Sequence, residues 1–169
     1  MTIAQSILPE YDQEIAATRR VLERVPAEHV AWKPHERSWS LGELSLHVAN
    51  LLSWMRITLE SDELDLAPPG GPGFQRVAFE SPAATLAHFE RHAAEGRAAL
   101  AAAGDSDLAR PWSLKLGGKV KFTMPRSACV RMFVLNHLIH HRGQLTVYLR
   151  QCDVPLPSIY GPTADEPGP

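Results

Sequence analysis

The sequence predicts an all-α fold of four long helices, with one short β-hairpin between helices 3 and 4. Four stretches repeat apolar residues at the helical period and are bounded by start and stop signals. Before the last stretch, two runs of alternating residues flank Gly117-Gly118, a pattern typical of a hairpin turn. A chain of 169 residues can bury a full hydrophobic core. We therefore expect a single domain over residues 1–169.

The first predicted helix begins near Thr2 or Pro9 and ends at Val25. Pro26 ends it, because proline cannot continue the backbone hydrogen bonding. Pro9 leaves two starting points open, since proline is tolerated in a first turn and disfavoured further inside a helix.

The second predicted helix has the clearest start signal. Ser40-Leu41-Gly42-Glu43 matches a capping box, in which the side chains of Ser40 and Glu43 each accept a hydrogen bond from the other's backbone amide. An apolar face then continues to Leu59 and carries His47 in its middle. Alone, a histidine on such a face is in most proteins a hydrogen-bonded core residue.

A long connection, residues 61–80, separates the second and third predicted helices. Its centre, Pro68–Gly73, consists only of proline and glycine. A connection of this length in a compact domain is often a lid, a crossover or a mobile segment. The third helix is expected to begin with Ser81 as N-cap and Pro82 in the first turn, and to end at Gly104.

The third helix carries His88 and His92, which are four residues apart. By the helical period they lie roughly 90–130° away from the apolar stripe of that helix. Arg91 and Glu95 are their neighbours on this side. We therefore expect two surface histidines here and no metal role.

The fourth predicted helix spans residues 126–152, and Pro155 follows its end. Residues 155–169 are rich in proline and glycine and are expected to form an extended tail. The predicted hairpin strands, 112–116 and 119–123, should lie against the helices, because an isolated hairpin is only marginally stable.

His137 and His141 are the most informative residues of the chain. Their spacing places both rings on one side of a helix, about 5–6 Å apart at Cβ. Burying unpaired imidazoles costs free energy, so they are either hydrogen-bonded core residues or a pair of metal ligands. His47 as a third ligand would account for all three. Leu138 stands where the H-E-x-x-H signature requires glutamate, so a metalloprotease is not supported. The apolar residues of the same stripe are Val130, Phe133, Val134, Leu145 and Tyr148.

Composition excludes several classes of function. The formal charge of −2 provides no basic surface for nucleic acid and no polybasic patch for a membrane. No apolar run is long enough to span a bilayer, and the first residues lack the pattern of a signal peptide. Cys129 and Cys152 lie near the two ends of one predicted helix and could not meet within it. We interpret them as reduced thiols of a cytoplasmic protein.

The sequence resembles the DinB/YfiT-like family of metalloenzymes over most of its length. The resemblance is strongest in Asn136–Gln144, the segment that contains His137 and His141. Further matching segments are Trp32–Pro34, Ser38–Leu44 with His47, Val154-Pro155 and Tyr160–Pro162.

This resemblance implies a four-helix bundle with a variant up-and-down order, often assembled as a homodimer. It also implies a metal site formed by His47, His137 and His141. Members of known chemistry are thiol S-transferases and isomerases that use low-molecular-weight thiols.

Three neutral imidazoles leave a divalent ion with open coordination positions, the arrangement of a catalytic site. Zinc and nickel both suit such ligands. Gln144, one turn beyond His141, is a candidate to hold a water or a substrate group; the alternative is a hydrogen bond to the tail or to another helix. Asn50 either orients a ligand or is a plain surface amide.

We therefore expect a metal-dependent enzyme that acts on a small molecule by hydrolysis or thiol transfer. The alternatives are a non-catalytic metal- or ligand-binding stress-response homodimer and a purely structural bundle. A dimer is favoured by the resemblance and by apolar residues of helix 4 off its core stripe. Leu135, Ile139 and Val147 lie at about 140°, 180° and 260° from Val130 by the helical period, and exposed apolar area of this extent usually marks an interface.

Overall fold

The computed structural model describes residues 1–73 and 77–168. Residues 74–76, within the predicted connection 61–80, and residue 169, at the end of the predicted tail, lie outside the described residues. The structure is mostly helical and contains a small three-stranded sheet. The α-helices are α1 Ile3–Leu22, α2 Leu41–Asn50, α3 Ser53–Glu60, α4 Pro82–Ala102, α5 Asp105–Ala109, α6 Arg126–Cys129 and α7 His137–Gln151. A 3₁₀ turn covers Ala27–His29, a π-helical segment covers Val130–Asn136, and the strands are β1 Glu63–Asp65, β2 Pro111–Leu116 and β3 Lys119–Pro125.

Helix α1 starts at the earlier of its two predicted positions. Thr2 is the N-cap and forms a capping box with Gln5, so Pro9 lies inside the helix. The backbone amides of the first turn therefore have partners. The helix ends at Leu22, and turn hydrogen bonds continue the chain as far as Val25.

The second predicted helix is two helices, so the expectation of one continuous helix was wrong. Its start is as predicted, because Ser40 and Glu43 form the capping box. At the break, the Ser53 hydroxyl donates to the Asn50 carbonyl over 2.8 Å. The backbone amides of Trp54 and Met55 donate to the carbonyls of the residues three positions earlier, as in a 3₁₀ turn. This tighter turn separates α2 from α3.

The sheet contains a strand that the sequence did not predict. Strand β1, within the connection 61–80, pairs parallel with β2, and β2 pairs antiparallel with β3. Gly117 and Gly118 both adopt positive φ at the β2–β3 turn, a conformation that glycine adopts without a steric penalty. The carboxylate of Asp65 accepts hydrogen bonds from both of their amides, which fixes this turn beside β1.

The last predicted helix runs through α6, the π-helical segment and α7. A π-helix has more residues per turn than an α-helix. Successive side chains along Val130–Asn136 are therefore separated by a smaller angle around the helix axis than in an α-helix. Leu135 is consequently buried in the core, and its predicted exposure off the core stripe was wrong. Val147, further along α7, is 59% exposed, as predicted.

The core lies where the long helices meet. Helix α1 packs against α4 and α7, and α2 packs against the same two helices. Cys129 and Cys152 are both free thiols. No helix in the described ranges is long and apolar enough to cross a membrane.

The tail after α7 is held by a polar cluster around a buried ion pair. Arg142 on α7 forms an ion pair with Glu14 on α1 at 2.7 Å, and their side chains are 2% and 6% exposed. The hydroxyl of Tyr160 donates to the Glu14 carboxylate and accepts from Arg142 over 2.6 Å. Arg142 also donates to the Thr18 hydroxyl, so this cluster joins α1, α7 and the tail.

Candidate metal centre

Three histidines from two helices converge beside the core. His47 comes from α2, and His137 and His141 come from the first turns of α7. One ring nitrogen of each lies within 4.8 Å of the others. Over residues 1–73 and 77–168, no other group of three histidine, cysteine or carboxylate side chains meets this criterion. The structure thus brings together the three residues that the sequence indicated as metal ligands.

A hydrogen bond to the outer nitrogen sets the tautomer of His141. Nδ1 of His141 lies 2.7 Å from Oε1 of Gln144, an acceptor, so this nitrogen carries the proton. In the neutral ring, Nε2 of His141 then carries a lone pair, and this nitrogen faces His137.

The inner nitrogens of this pair are close together. Nε2 of His137 and Nε2 of His141 are 3.0 Å apart. A lone pair on each of these nitrogens could be directed at one metal ion, since Zn–N bonds of about 2.0–2.1 Å bring two ligand nitrogens to a similar separation. Outer hydrogen bonds of this kind are typical of metal-ligating histidines. The residues present fit a divalent metal ion.

Burial keeps the ligands in the form that binds metal. Loss of solvent lowers the pKa of His137, and the neighbouring charge of His141 lowers it further. Burial is also the main cause that lowers the pKa of His141. Both rings are consequently neutral at pH 7, as metal coordination requires.

The tryptophan that precedes the capping box covers the histidines. The ring of Trp39 is centred 4.6 Å from that of His47 and 5.6 Å from that of His141. Because Ser40 caps α2 immediately after it, the position of Trp39 is tied to the start of the helix that carries His47. Trp39 keeps 44% of its surface exposed, and the three histidines are themselves only partly buried.

A cavity of about 620 Å³ adjoins the histidines and has His47 and His137 in its wall. Among residues 1–73 and 77–168, the other polar lining residues are Glu43 and Asn50. The other described lining residues are apolar, and four of them are aromatic: Trp39, Leu46, Leu51, Trp54, Leu66, Val77, Ala78, Phe79 and Phe133.

The centre of the long connection and Gln144 are both absent from the described wall of the cavity. Pro68–Gly73 is not among the described residues that line the cavity; the flanking Leu66 and 77–79 line it instead. Pro69 is close to Gly118 at the hairpin turn. Gln144 is also outside the described lining, and its side chain bonds to His141. Its contact is thus with a ligand ring.

His88 and His92 lie outside the group of three, but they are not the solvated residues that the sequence suggested. The side chain of His92 is only 13% exposed. Nε2 of His88 is 3.1 Å from Oδ1 of Asn50 in the cavity wall. The helical period places residues relative to their own helix only, so this contact between α4 and α2 left no signal in the sequence.

The sequence profile of the DinB family matches residues 2–168. The chain belongs to the DinB family. Among curated proteins, it is 28% identical over 163 residues to the uncharacterized protein YrdA of Bacillus subtilis, a match that covers 94% of this chain and 89% of YrdA.

Two crystal structures of DinB-like proteins have the same fold. The protein YjoA from Bacillus subtilis superposes with a TM-score of 0.67 at 18% identity, covering 88% of this chain and 92% of YjoA. A protein from Bacillus cereus gives a TM-score of 0.67 at 21% identity, covering 92% of this chain and 97% of its own. Likeness at this identity concerns the DinB fold, so the function has to be argued from the site.

Proposed function

We propose that this DinB family protein is a metal-dependent enzyme that acts on a small molecule by hydrolysis or thiol transfer. His47, His137 and His141 would hold one divalent ion. The observation that carries the proposal is that each of these three histidines places a ring nitrogen within 4.8 Å of the other two, with Nε2 of His137 and Nε2 of His141 3.0 Å apart.

The ligand number favours catalysis over a purely structural role for the ion. Closed structural sites use four protein ligands, whereas three leave a position for a water or a substrate. When bound, a divalent ion supplies Lewis acidity that lowers the pKa of a water or a thiol. Zinc and nickel both suit three imidazoles, and a low-molecular-weight thiol is a suitable co-substrate.

The protein around the histidines would supply binding and orientation. The aromatic wall of the cavity suits an apolar substrate body. Glu43, the carboxylate in this wall, accepts a hydrogen bond from the Ser40 amide, which is the main cause of its lowered pKa. A carboxylate held in this way is a weak base at neutral pH, so we assign Glu43 to the helix cap and not to proton transfer.

Two experiments in sequence test this proposal. First, protein purified without a histidine tag is analysed for bound metal, and we expect one equivalent of divalent ion. Second, the zinc- and nickel-loaded forms are incubated with thiols plus electrophiles and with a panel of esters. Turnover should require metal and vanish in His141→Ala. Formation of a thiol adduct indicates transfer, and cleavage without thiol indicates hydrolysis.

The second candidate function is a non-catalytic metal- or ligand-binding homodimer, as in a stress-response protein. Val147 on α7 and Met132 in the π-helical segment favour a homodimer, because both are apolar and more than half exposed. Light scattering at micromolar concentration should show a dimer. If metal raises the melting temperature but no substrate is turned over, the binding role replaces the enzymatic one.

We also propose that the long helices form a four-helix bundle with the variant up-and-down order of the family. Support comes from α1 and α2, each of which packs against both α4 and α7. A crystal structure of this chain would test the arrangement.

A further inference from the structure

The cavity beside the histidines has one uncharged polar side chain in its described wall besides the histidines themselves. His47 and His137 are the metal ligands of the proposed function, and the Glu43 carboxylate belongs to the helix cap. Asn50 remains. It lies on α2 one turn after His47, at a spacing that corresponds to about 5–6 Å between Cβ atoms.

The amide of Asn50 is oriented from behind by two residues of α4. Nη2 of Arg91 lies 3.1 Å from Nδ1 of His88. Arginine can only donate, so this nitrogen of His88 carries the lone pair and Nε2 carries the hydrogen. His88 therefore donates from Nε2 to Oδ1 of Asn50 over 3.1 Å. The hydrogen bonds from Arg91 to His88 and from His88 to Asn50 therefore fix the orientation of the Asn50 amide, with its oxygen toward His88.

These hydrogen bonds fix the position of the NH₂ group of Asn50, which is a hydrogen-bond donor. With its oxygen bonded to His88, Asn50 directs its NH₂ group away from α4. No acceptor within hydrogen-bond distance of this NH₂ is found among residues 1–73 and 77–168. A fixed amide donor in an apolar wall is typical of the few polar groups that orient a ligand in a pocket.

We propose that Asn50 determines substrate specificity by donating a hydrogen bond to an oxygen of the bound substrate. The proposal rests on the metal site proposed above and names the substrate class. The substrate is a small, largely aromatic or branched apolar molecule with a carbonyl or carboxylate oxygen a few atoms from the metal-binding atom. An amine in place of this oxygen is disfavoured, because an amide NH₂ and a divalent ion with neutral ligands both repel a cation.

The test uses a matched pair of thiols and the cobalt-loaded protein. The probes are 2-mercaptoacetophenone and 2-phenylethanethiol, which differ by a carbonyl in place of a methylene and are both uncharged as thiols. Binding is followed by the cobalt–thiolate absorption, so no turnover is needed. The variants are Asn50→Leu, His88→Phe and His88→Gln, with Arg97→Gln as a control on the outer face of α4, where Arg97 pairs with Asp12.

We expect Asn50→Leu to weaken binding of the ketone by about tenfold, the effect of a hydrogen bond worth about 1.4 kcal/mol, and to leave the methylene analogue within about twofold. His88→Phe should lose part of the ketone preference, because the amide is then free to turn. His88→Gln should restore it, since glutamine accepts from Arg91 and donates to Asn50. Arg97→Gln should match the unmodified protein for both thiols.

The outcomes separate the two proposals. If both thiols bind and the affinity ratio is the same in Asn50→Leu as in the unmodified protein, the role of Asn50 is overturned while the metal site stands. Equal loss of the preference in His88→Phe and His88→Gln would overturn the orientation by His88. If neither thiol gives an absorption band in the unmodified protein, the open metal site fails, and the role of Asn50 fails with it.

Discussion

His141 and Arg142 are neighbours in the chain, yet they belong to regions of opposite character. The side chain of Arg142 enters a cluster whose partners are all supplied by the protein: Glu14, Thr18 and Tyr160. The ring of His141 faces the rings of His47 and His137, the other two candidate metal ligands. One side of α7 finds all its polar partners in the folded chain, and the other side presents nitrogen atoms that fit a cation.

Buried polar groups that stabilise the fold differ from those that bind a ligand in whether the protein itself supplies all their partners. A buried ion pair with satisfied hydrogen bonds requires nothing further, and removing one partner leaves an uncompensated charge. Three imidazoles that place their nitrogens within 4.8 Å of one another instead form a set of ligands that suits a cation. We therefore assign the Arg142 side to stability and the His141 side to function.

The largest effect on stability is expected for Arg142→Ala. This change leaves the Glu14 carboxylate buried and unpaired, so the free energy of unfolding should fall by about 3–5 kcal/mol. Urea denaturation measures it. The control is Arg150→Ala, which breaks the exposed ion pair with Asp165 and should cost less than about 1 kcal/mol. Equal losses in the two variants would refute the stabilising role of the cluster.

We expect Gln144→Ala to lower the affinity for metal and to leave the free energy of unfolding unchanged. Gln144 is exposed and orients the His141 ring, and loss of such an outer partner typically lowers metal affinity by about 10–100-fold. Competition with a chelator measures the dissociation constant. Gln151→Ala, which removes another exposed amide of α7, should leave the affinity unchanged. An unchanged affinity in Gln144→Ala would show that this hydrogen bond does not orient a metal ligand.

Tyr160→Phe should give the smallest of these effects. It removes only the hydroxyl that joins the tail to Glu14 and Arg142, so we expect a loss of about 1 kcal/mol in the free energy of unfolding. Metal affinity should not change, because the hydroxyl belongs to the Arg142 side of α7. Tyr148→Phe serves as the control, since Tyr148 packs edge-on against Trp32 through its ring.

Local signals in the sequence predicted much of the fold. The capping box at Ser40 and the Ser81-Pro82 start are interactions within one turn, so they can be read without knowledge of the tertiary structure. Strand β1 has only three residues, and its partner β2 begins almost fifty residues later. A pairing of such short length and long range leaves no periodic pattern to detect.

The sequence likewise predicted one part of the candidate site and not the rest. The spacing of His137 and His141 and the apolar face around His47 indicated three ligands, and the structure brings them together. The π-helical segment has no proline or glycine to announce it, so the burial of Leu135 could not be anticipated. The contact of His88 with Asn50 joins two helices that are far apart in sequence, and helical periodicity holds no information about such contacts.

Metal analysis of tag-free variants tests whether His47, His137 and His141 bind one divalent ion. His47→Ala, His137→Ala and His141→Ala are compared with His88→Ala and His92→Ala, which remove a similar pair of histidines on α4. We predict about one equivalent of zinc or nickel in the unmodified protein and in the two controls, and a loss of most of the metal in each of the other three. Full metal occupancy in His137→Ala, or an equal loss in His88→Ala, would show that these three histidines do not form the metal site.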